Sequence, residues 1–179
     1  MQIIDGFTGH EQTIIDLFTE TFAASEGPDE GALIGDLVRD LFARTQASEI
    51  HAFRAEENGQ LVGAVVFTRL TYPGDPRYVV LLSPMAVATA FQRQGIGQAL
   101  ISGALETLRS GGAEIAITYG DPDYYRRVGF NPITEDQALA PLPLSFPHGW
   151  IGQSLTGDAM PSLIGTPTCV PALNRADIW

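Results

Sequence analysis

Apolar residues alternate with polar ones in two distinct periods along this chain. Between Glu11 and Phe22, the residues Ile14, Leu17, Phe18 and Phe22 recur at helical spacing with mostly polar positions between them. The segment Ala24 to Asp29, with Pro28 in it, is expected to break that helix. A second helix is predicted from about Glu30 to Arg44, with Leu33, Ile34, Leu37, Val38, Leu41 and Phe42 on one face. Strand patterns frame it: Gln2-Ile3-Ile4 before the helices, Glu49 to Ala55 and Leu61 to Leu70 after them. Asn58-Gly59 between the last two predicts a two-residue hairpin turn. Past the loop Tyr72 to Pro76, a nearly continuous apolar strand runs from Val79 to Val87. A helix from Ile96 to Ser110 buries Ile96, Leu100, Ile101, Ala104, Leu105 and Leu108, and stops at Gly111-Gly112. Glu114 to Tyr119 reads as a strand, Pro122 to Val128 as a short helix, and Trp150 to Leu155 as a strand pairing back onto the sheet. An irregular tail then leads to Trp179.

This alternation predicts an α/β chain of 179 residues, enough for one domain with a real core. The core is expected over about 1–135, with a C-terminal strand and tail over about 140–179. The formal net charge is −11, and all ten basic residues are arginine. Nucleic acid and anionic membrane both require clustered cations, so neither is an expected partner. Met1 to Asp5 lacks the basic start of a signal peptide, no apolar run approaches a bilayer span, and the single cysteine, Cys169, excludes an internal disulfide. A cytoplasmic location and no metal are therefore expected.

The densest chemical signal is Gln92-Arg93-Gln94-Gly95-Ile96-Gly97, between the strand ending at Val87 and the helix opening at Ile96. The first backbone N–H groups of a helix have no intrahelical partner, and the helix dipole favours an anion beside them. Glycine at 95 and 97 lets a pyrophosphate approach the main chain. A nucleotide-binding oxidoreductase or kinase could use such a turn. This chain, however, lacks both the lysine of a P-loop and an early βαβ unit with a following acidic residue.

The order of elements and two local signatures resemble the GNAT superfamily of acetyl-CoA-dependent N-acetyltransferases, specifically a bacterial branch of predicted acetyltransferases. The Gln/Arg-x-x-Gly-x-Gly/Ala pattern is met by Gln92, Gly95 and Gly97. The apolar strand before it is met by Leu81 to Val87. A tyrosine four residues before Gly-Phe is met by Tyr125 and Gly129-Phe130, within Gly120-Asp121-Pro122-Asp123-Tyr124-Tyr125-Arg126-Arg127-Val128-Gly129-Phe130. Gln94 departs from the pattern, standing where a basic residue is frequent; Arg93 could offset it.

The resemblance implies a mixed, mostly antiparallel sheet of six or seven strands, splayed between strands 4 and 5 and flanked by about four helices. It implies acetyl-CoA as cosubstrate, with its pyrophosphate on the Gln92, Arg93, Gln94, Gly95, Ile96, Gly97 and Gln98 loop. The pantetheine arm would pair along Met85, Ala86 and Val87. Pro84 agrees with an interrupted ladder there.

Transfer to an amine needs a neutral nucleophile, although a lysine-like amine has an unperturbed pKa of about 10.4. It also needs a donor to the oxyanion, for which a backbone N–H near Met85 is a candidate, and an acid for the leaving thiolate. Tyr125 is the expected acid by its place in the signature. For the base, Glu26, His51, Asp121, Ser83 acting through water, and a water relay all stay open. Glu26 and Ser83 are the expected contacts of the acceptor, a primary amine of a small molecule or protein. The acidic residues Glu26, Asp29 and Glu30 favour a cationic one. Arg126 and Arg127 fit a solvated helix face better than a phosphate site. Nothing beside Cys169 suggests a thiol activated for a ping-pong scheme. The apolar end Ile178-Trp179 leaves two dockings open, against the body of the chain or against a second copy in a homodimer. The alternative function is a non-catalytic acetyl-CoA-binding sensor or interaction module.

Overall fold

The computed structural model describes residues 1–179. Its elements are β1 (Gln2–Asp5), α1 (Glu11–Glu26), α2 (Pro28–Arg44), β2 (Ile50–Glu57), β3 (Gln60–Leu70), β4 (Val79–Val87), α3 (Ile96–Ser110), β5 (Ile115–Tyr119), α4 (Pro122–Tyr125), β6 (Asn131–Pro132) and β7 (Trp150–Ser154). The strands follow the order β1-β2-β3-β4-β5-β7-β6 in a mixed sheet, with β4 and β5 parallel and β5 and β7 antiparallel. The chain divides into two compact units, Met1–Phe67 with Pro84–Ala104, and Thr68–Ser83 with Leu105–Trp179. It passes from one to the other inside β3, β4 and α3.

In the first unit, β1 pairs antiparallel with β2, from Gln2↔Glu56 to Asp5↔Phe53. Asn58 and Gly59 both take positive φ (51° and 77°), as the expected hairpin turn requires. The predicted break at 24–29 is far shorter than expected. Ala24, Ser25 and Glu26 tolerate a helix, so α1 runs through Glu26 and only Gly27, at φ 102°, separates it from α2. Pro28 does not end a helix here. It opens one, at the first position, where its missing N–H costs nothing.

The two helices cross closely at Gly31 and Gly35. A Cβ on Gly31 would sit 2.5 Å from the Thr19 carbonyl oxygen, and one on Gly35 would sit 2.1 Å from Thr19 Oγ1. Ile14, Phe18, Leu37, Val38 and Leu41 are buried from these helices, with Phe53 and Phe67 meeting edge to face at 6.1 Å. A Gly31→Ala variant sets two effects against each other. Alanine gains about 1 kcal/mol of helix propensity, while forcing a methyl into backbone costs about 1–3 kcal/mol. The Gly31 contact is with a carbonyl that cannot swing aside, so urea denaturation is expected to show net destabilisation.

In the second unit, β5 is the axis. It pairs with β4 from Val79↔Ile115 to Leu82↔Thr118, and with β7 from Ile115↔Ser154 to Tyr119↔Trp150. Ile115, Ala116 and Ile117 are buried, as expected of a strand paired on both sides. The two-residue strand β6, which the sequence pattern did not reveal, pairs with β7 through Asn131 and Pro132, and proline suits its edge position. Trp150 Nε1 donates to the Ala138 carbonyl at 2.8 Å. Of the two dockings open to the C-terminus, Trp179 takes the one against its own chain. It stacks on Tyr119, meets Trp150 at 62° and donates Nε1–H to the Leu173 carbonyl. No helix is long and apolar enough to cross a membrane.

Candidate active site

The end of β4 and the start of α3 form the first component. Residues Val79 to Leu82 have partners on β5, and the register stops at Leu82↔Thr118, so Ser83 to Val87 run on without a β5 partner. Pro84 falls in this stretch and removes one backbone donor. Ser83, Met85 and Val87 alternate with buried Pro84 and Ala86 and are themselves partly exposed.

After β4, the Ala88 N–H bonds to the Val62 carbonyl and Thr89–Phe91 makes a single tight turn. Gln92 Nε2 reaches back to the Val87 carbonyl at 3.0 Å, tying the loop to the strand end. Gln94 Nε2 bonds to the Ala90 carbonyl at 3.4 Å. Arg93 takes φ 62° and Gly95 φ 79°; the first is an uncommon conformation for a residue with a side chain. Arg93 makes no ion pair in the chain, and Gln92 to Gly95 are exposed. The first bond of α3 runs from the Ala99 N–H to the Gly95 carbonyl. The N–H groups of Ile96, Gly97 and Gln98 therefore precede it, with no carbonyl one turn back to receive them. This loop sets main-chain donors with no helical partner beside an exposed, uncommitted guanidinium. Such a set suits a phosphate.

The second component surrounds Tyr125. The Asp121 carboxylate accepts the Asp123 N–H at 2.9 Å and Pro122 takes the first helical position, so Asp-Pro-Asp starts α4 where β5 ends. The turn closes at Gly129 in the left-handed region, and the Phe130 N–H bonds to the Tyr125 carbonyl. The Tyr125 ring meets Tyr124 edge-on at 5.1 Å and Phe130 at 5.7 Å. Its Cε2 edge also lies close to Gly120: a Cβ there would come 2.8 Å from that atom. Burial pushes the Tyr125 phenol well above its ordinary pKa. Neighbouring Tyr124 and Asp121 add to the rise, and a hydrogen bond with the Thr118 side chain opposes it. Tyr124 is raised by burial too, with Arg127 opposing.

The remaining candidates fall elsewhere. Glu26 is the exposed last residue of α1, so it sits on a helix end and not in a loop. His51 lies on β2 and Ser83 on β4. The Asp121 carboxylate is engaged as the α4 cap. Arg126 pairs with Asp123 at 2.5 Å on an exposed face, which is the solvated role expected of it. Cys169 is partly exposed, and burial raises its thiol, the opposite of what a nucleophile needs. No group of three or more His, Cys, Asp or Glu side chains is arranged to hold a metal ion. Of two residues beside Tyr125, Gly120 opens the quoted motif without a role of its own, and Thr118 was not singled out by the sequence. The signal available was a lone hydroxyl in the otherwise apolar Ile115-Ala116-Ile117-Thr118 run.

Comparison with known proteins gives a consistent answer. The family model described as "Acetyltransferase (GNAT) family" matches residues 12–130. An uncharacterized N-acetyltransferase of Escherichia coli, YjhQ, is 35% identical over 156 residues, covering 84% of this chain and 82% of its own. The crystal structure of E. coli YhbS, a GNAT family N-acetyltransferase in complex with CoA, superposes with a TM-score of 0.82 at 23% identity, over 98% of this chain and 92% of that one. A Brucella melitensis GNAT acetyltransferase in complex with acetyl-CoA gives 0.73 at 26% identity, over 96% of each chain. With both signatures inside the matched region, the chain belongs to the GNAT acetyltransferase family.

Proposed function

We propose that the chain is an N-acetyltransferase that passes the acetyl group of acetyl-CoA directly to a primary amine within a ternary complex, with Tyr125 as general acid. The observation that carries the reading is the fixed placement of the Tyr125 ring, held against Gly120 and crossed by Tyr124 and Phe130, with burial raising its phenol above the ordinary pKa. The CoA and acetyl-CoA bound to the YhbS and Brucella relatives support the same donor here.

The N–H groups of Ile96, Gly97 and Gln98 hold the diphosphate, with Gln92, Arg93, Gln94 and Gly95 shaping the loop. Met85, Ala86 and Val87 pair with the amides of the pantetheine arm, and an N–H at Met85 serves the developing oxyanion. The amine nitrogen attacks the thioester carbonyl, the C–S bond breaks, and the thiolate takes the Tyr125 proton. A phenol with raised pKa is a weaker acid than usual, yet it is fully protonated whenever the thiolate leaves. The amine's own proton departs to water or to a side chain among Glu26, His51 and Ser83. Glu26 and Ser83 contact the acceptor. The acidic balance of the chain favours a cationic acceptor such as a polyamine over an anionic one.

The pH dependence follows from these signs. The amine must lose a proton, so activity rises with pH toward the amine pKa, and Tyr125 contributes no alkaline fall within the assay range because its pKa is raised. A fall in kcat between pH 8 and about 10 that Tyr125→Phe abolishes would contradict the raised phenol pKa while keeping Tyr125 as the acid; a kcat unchanged by Tyr125→Phe at every pH would contradict the acid assignment itself. The deciding experiment screens spermidine, tyramine, lysine esters and peptide N-termini with acetyl-CoA, following thiol release. Amine-dependent release is expected. Tight acetyl-CoA binding without release for any amine instead supports the sensor alternative.

A further inference from the structure

Thr118 lies at the point where the β4–β5 ladder ends. Its side chain is 1% exposed, in a strand whose other interior residues are apolar. A buried hydroxyl must find partners. Thr118 Oγ1 donates to the Leu82 carbonyl at 2.8 Å, and its other neighbour is the Tyr125 phenol. The ring of that phenol is held in place, with its Cε2 edge close to Gly120 and T-shaped contacts to Phe130 and Tyr124.

We propose that Thr118 is a positioning residue for the acetyl-transfer step, its single hydroxyl proton shared between the Leu82 carbonyl and the Tyr125 phenol oxygen. This rests on the reading of Tyr125 as the acid. While the phenol is neutral, Thr118 gives its proton to Leu82. When Tyr125 passes its O–H proton to the departing sulfur, the phenolate is left among apolar rings, where an unpaired charge is costly. Rotation about the Thr118 Cβ–Oγ1 bond turns the hydroxyl proton to that oxygen, and the Leu82 carbonyl waits with one partner fewer. The phenolate then recovers a proton from solvent, and the hydroxyl returns. No atom beyond the transferred protons moves between residues.

The test uses the full chain with acetyl-CoA and whichever of spermidine, tyramine or lysine ethyl ester turns over fastest. Thr118→Val keeps the shape and removes the hydroxyl; Thr118→Ser keeps the hydroxyl. The valine variant is expected to lose about tenfold in kcat with KM for acetyl-CoA unchanged within about twofold, and the serine variant to recover most of the loss. In a Tyr125→Phe background, Thr118→Val is expected to cause no further loss. Wild-type kcat in Thr118→Val overturns the inference, as does an equal fractional loss with and without the phenol. Full turnover by Tyr125→Phe alone instead removes the reading on which it rests, so the two failures are told apart. If Thr118→Val does not fold, Thr118→Ala and Thr118→Ser are compared for the same kcat difference.

Discussion

Tyr125→Phe is expected to lower kcat by about 10²–10³-fold while the dissociation constant for acetyl-CoA stays within about twofold of wild type. The substitution removes one oxygen and leaves the ring on Gly120, Phe130 and Tyr124, so the local packing survives. Thr118 keeps its bond to the Leu82 carbonyl, so no buried donor is stranded and the fold should be retained. What disappears is the proton for the leaving thiolate, whose pKa of about 8.5 by analogy with cysteine makes it a better leaving group when protonated. Stopped-flow thiol release gives kcat, and calorimetry gives the acetyl-CoA affinity. Equal loss in both quantities would show that Tyr125 holds the donor and does no proton transfer.

A carboxylate placed at the α3 N-terminus is expected to weaken acetyl-CoA binding by at least about 30-fold, roughly 2 kcal/mol. Gly95→Asp provides it. Gly95 sits at φ 79° with nothing within 4 Å of an added Cβ, so the side chain meets only backbone strain. Aspartate tolerates the left-handed region, and its carboxylate satisfies orphan N–H groups of the helix start, so the folding cost is about 1 kcal/mol or less. The same N–H groups are then no longer available to a diphosphate, and like charge repels it. Gly95→Asn separates the two effects: it brings similar bulk without charge and should recover much of the affinity. If the aspartate variant bound acetyl-CoA within threefold of wild type, the diphosphate would have to sit elsewhere.

The parts of this molecule governed by local rules were legible in the sequence. α3 and β4 matched their predicted limits because a 3.6-residue apolar period and a nearly continuous apolar run admit few other readings. The turn between β4 and α3 was legible because glycines between a strand and a helix have a defined backbone consequence, seen here at Gly95. The 24–29 segment misled because Pro28 has opposite meanings within a helix and at its first residue, and only the close crossing at Gly31 and Gly35 decides between them. That crossing is a tertiary fact. The same holds for β6, whose two residues have no period, and for the tail, where Trp179 is placed by Tyr119, Trp150 and Leu173 from three other segments. At the proposed site, Tyr125 was put forward from its motif. The surroundings of its ring could not be read there, because Gly120 and Phe130 meet it only in the folded chain.

The most direct test of the account follows backbone amide resonances of the ¹⁵N-labelled full chain as CoA is added. Saturable shifts are predicted to be largest at Ile96, Gly97 and Gln98, with a second set at Met85 to Val87. Saturation of the folded protein with those amides unmoved, or no uptake of CoA at all, would contradict the central claim.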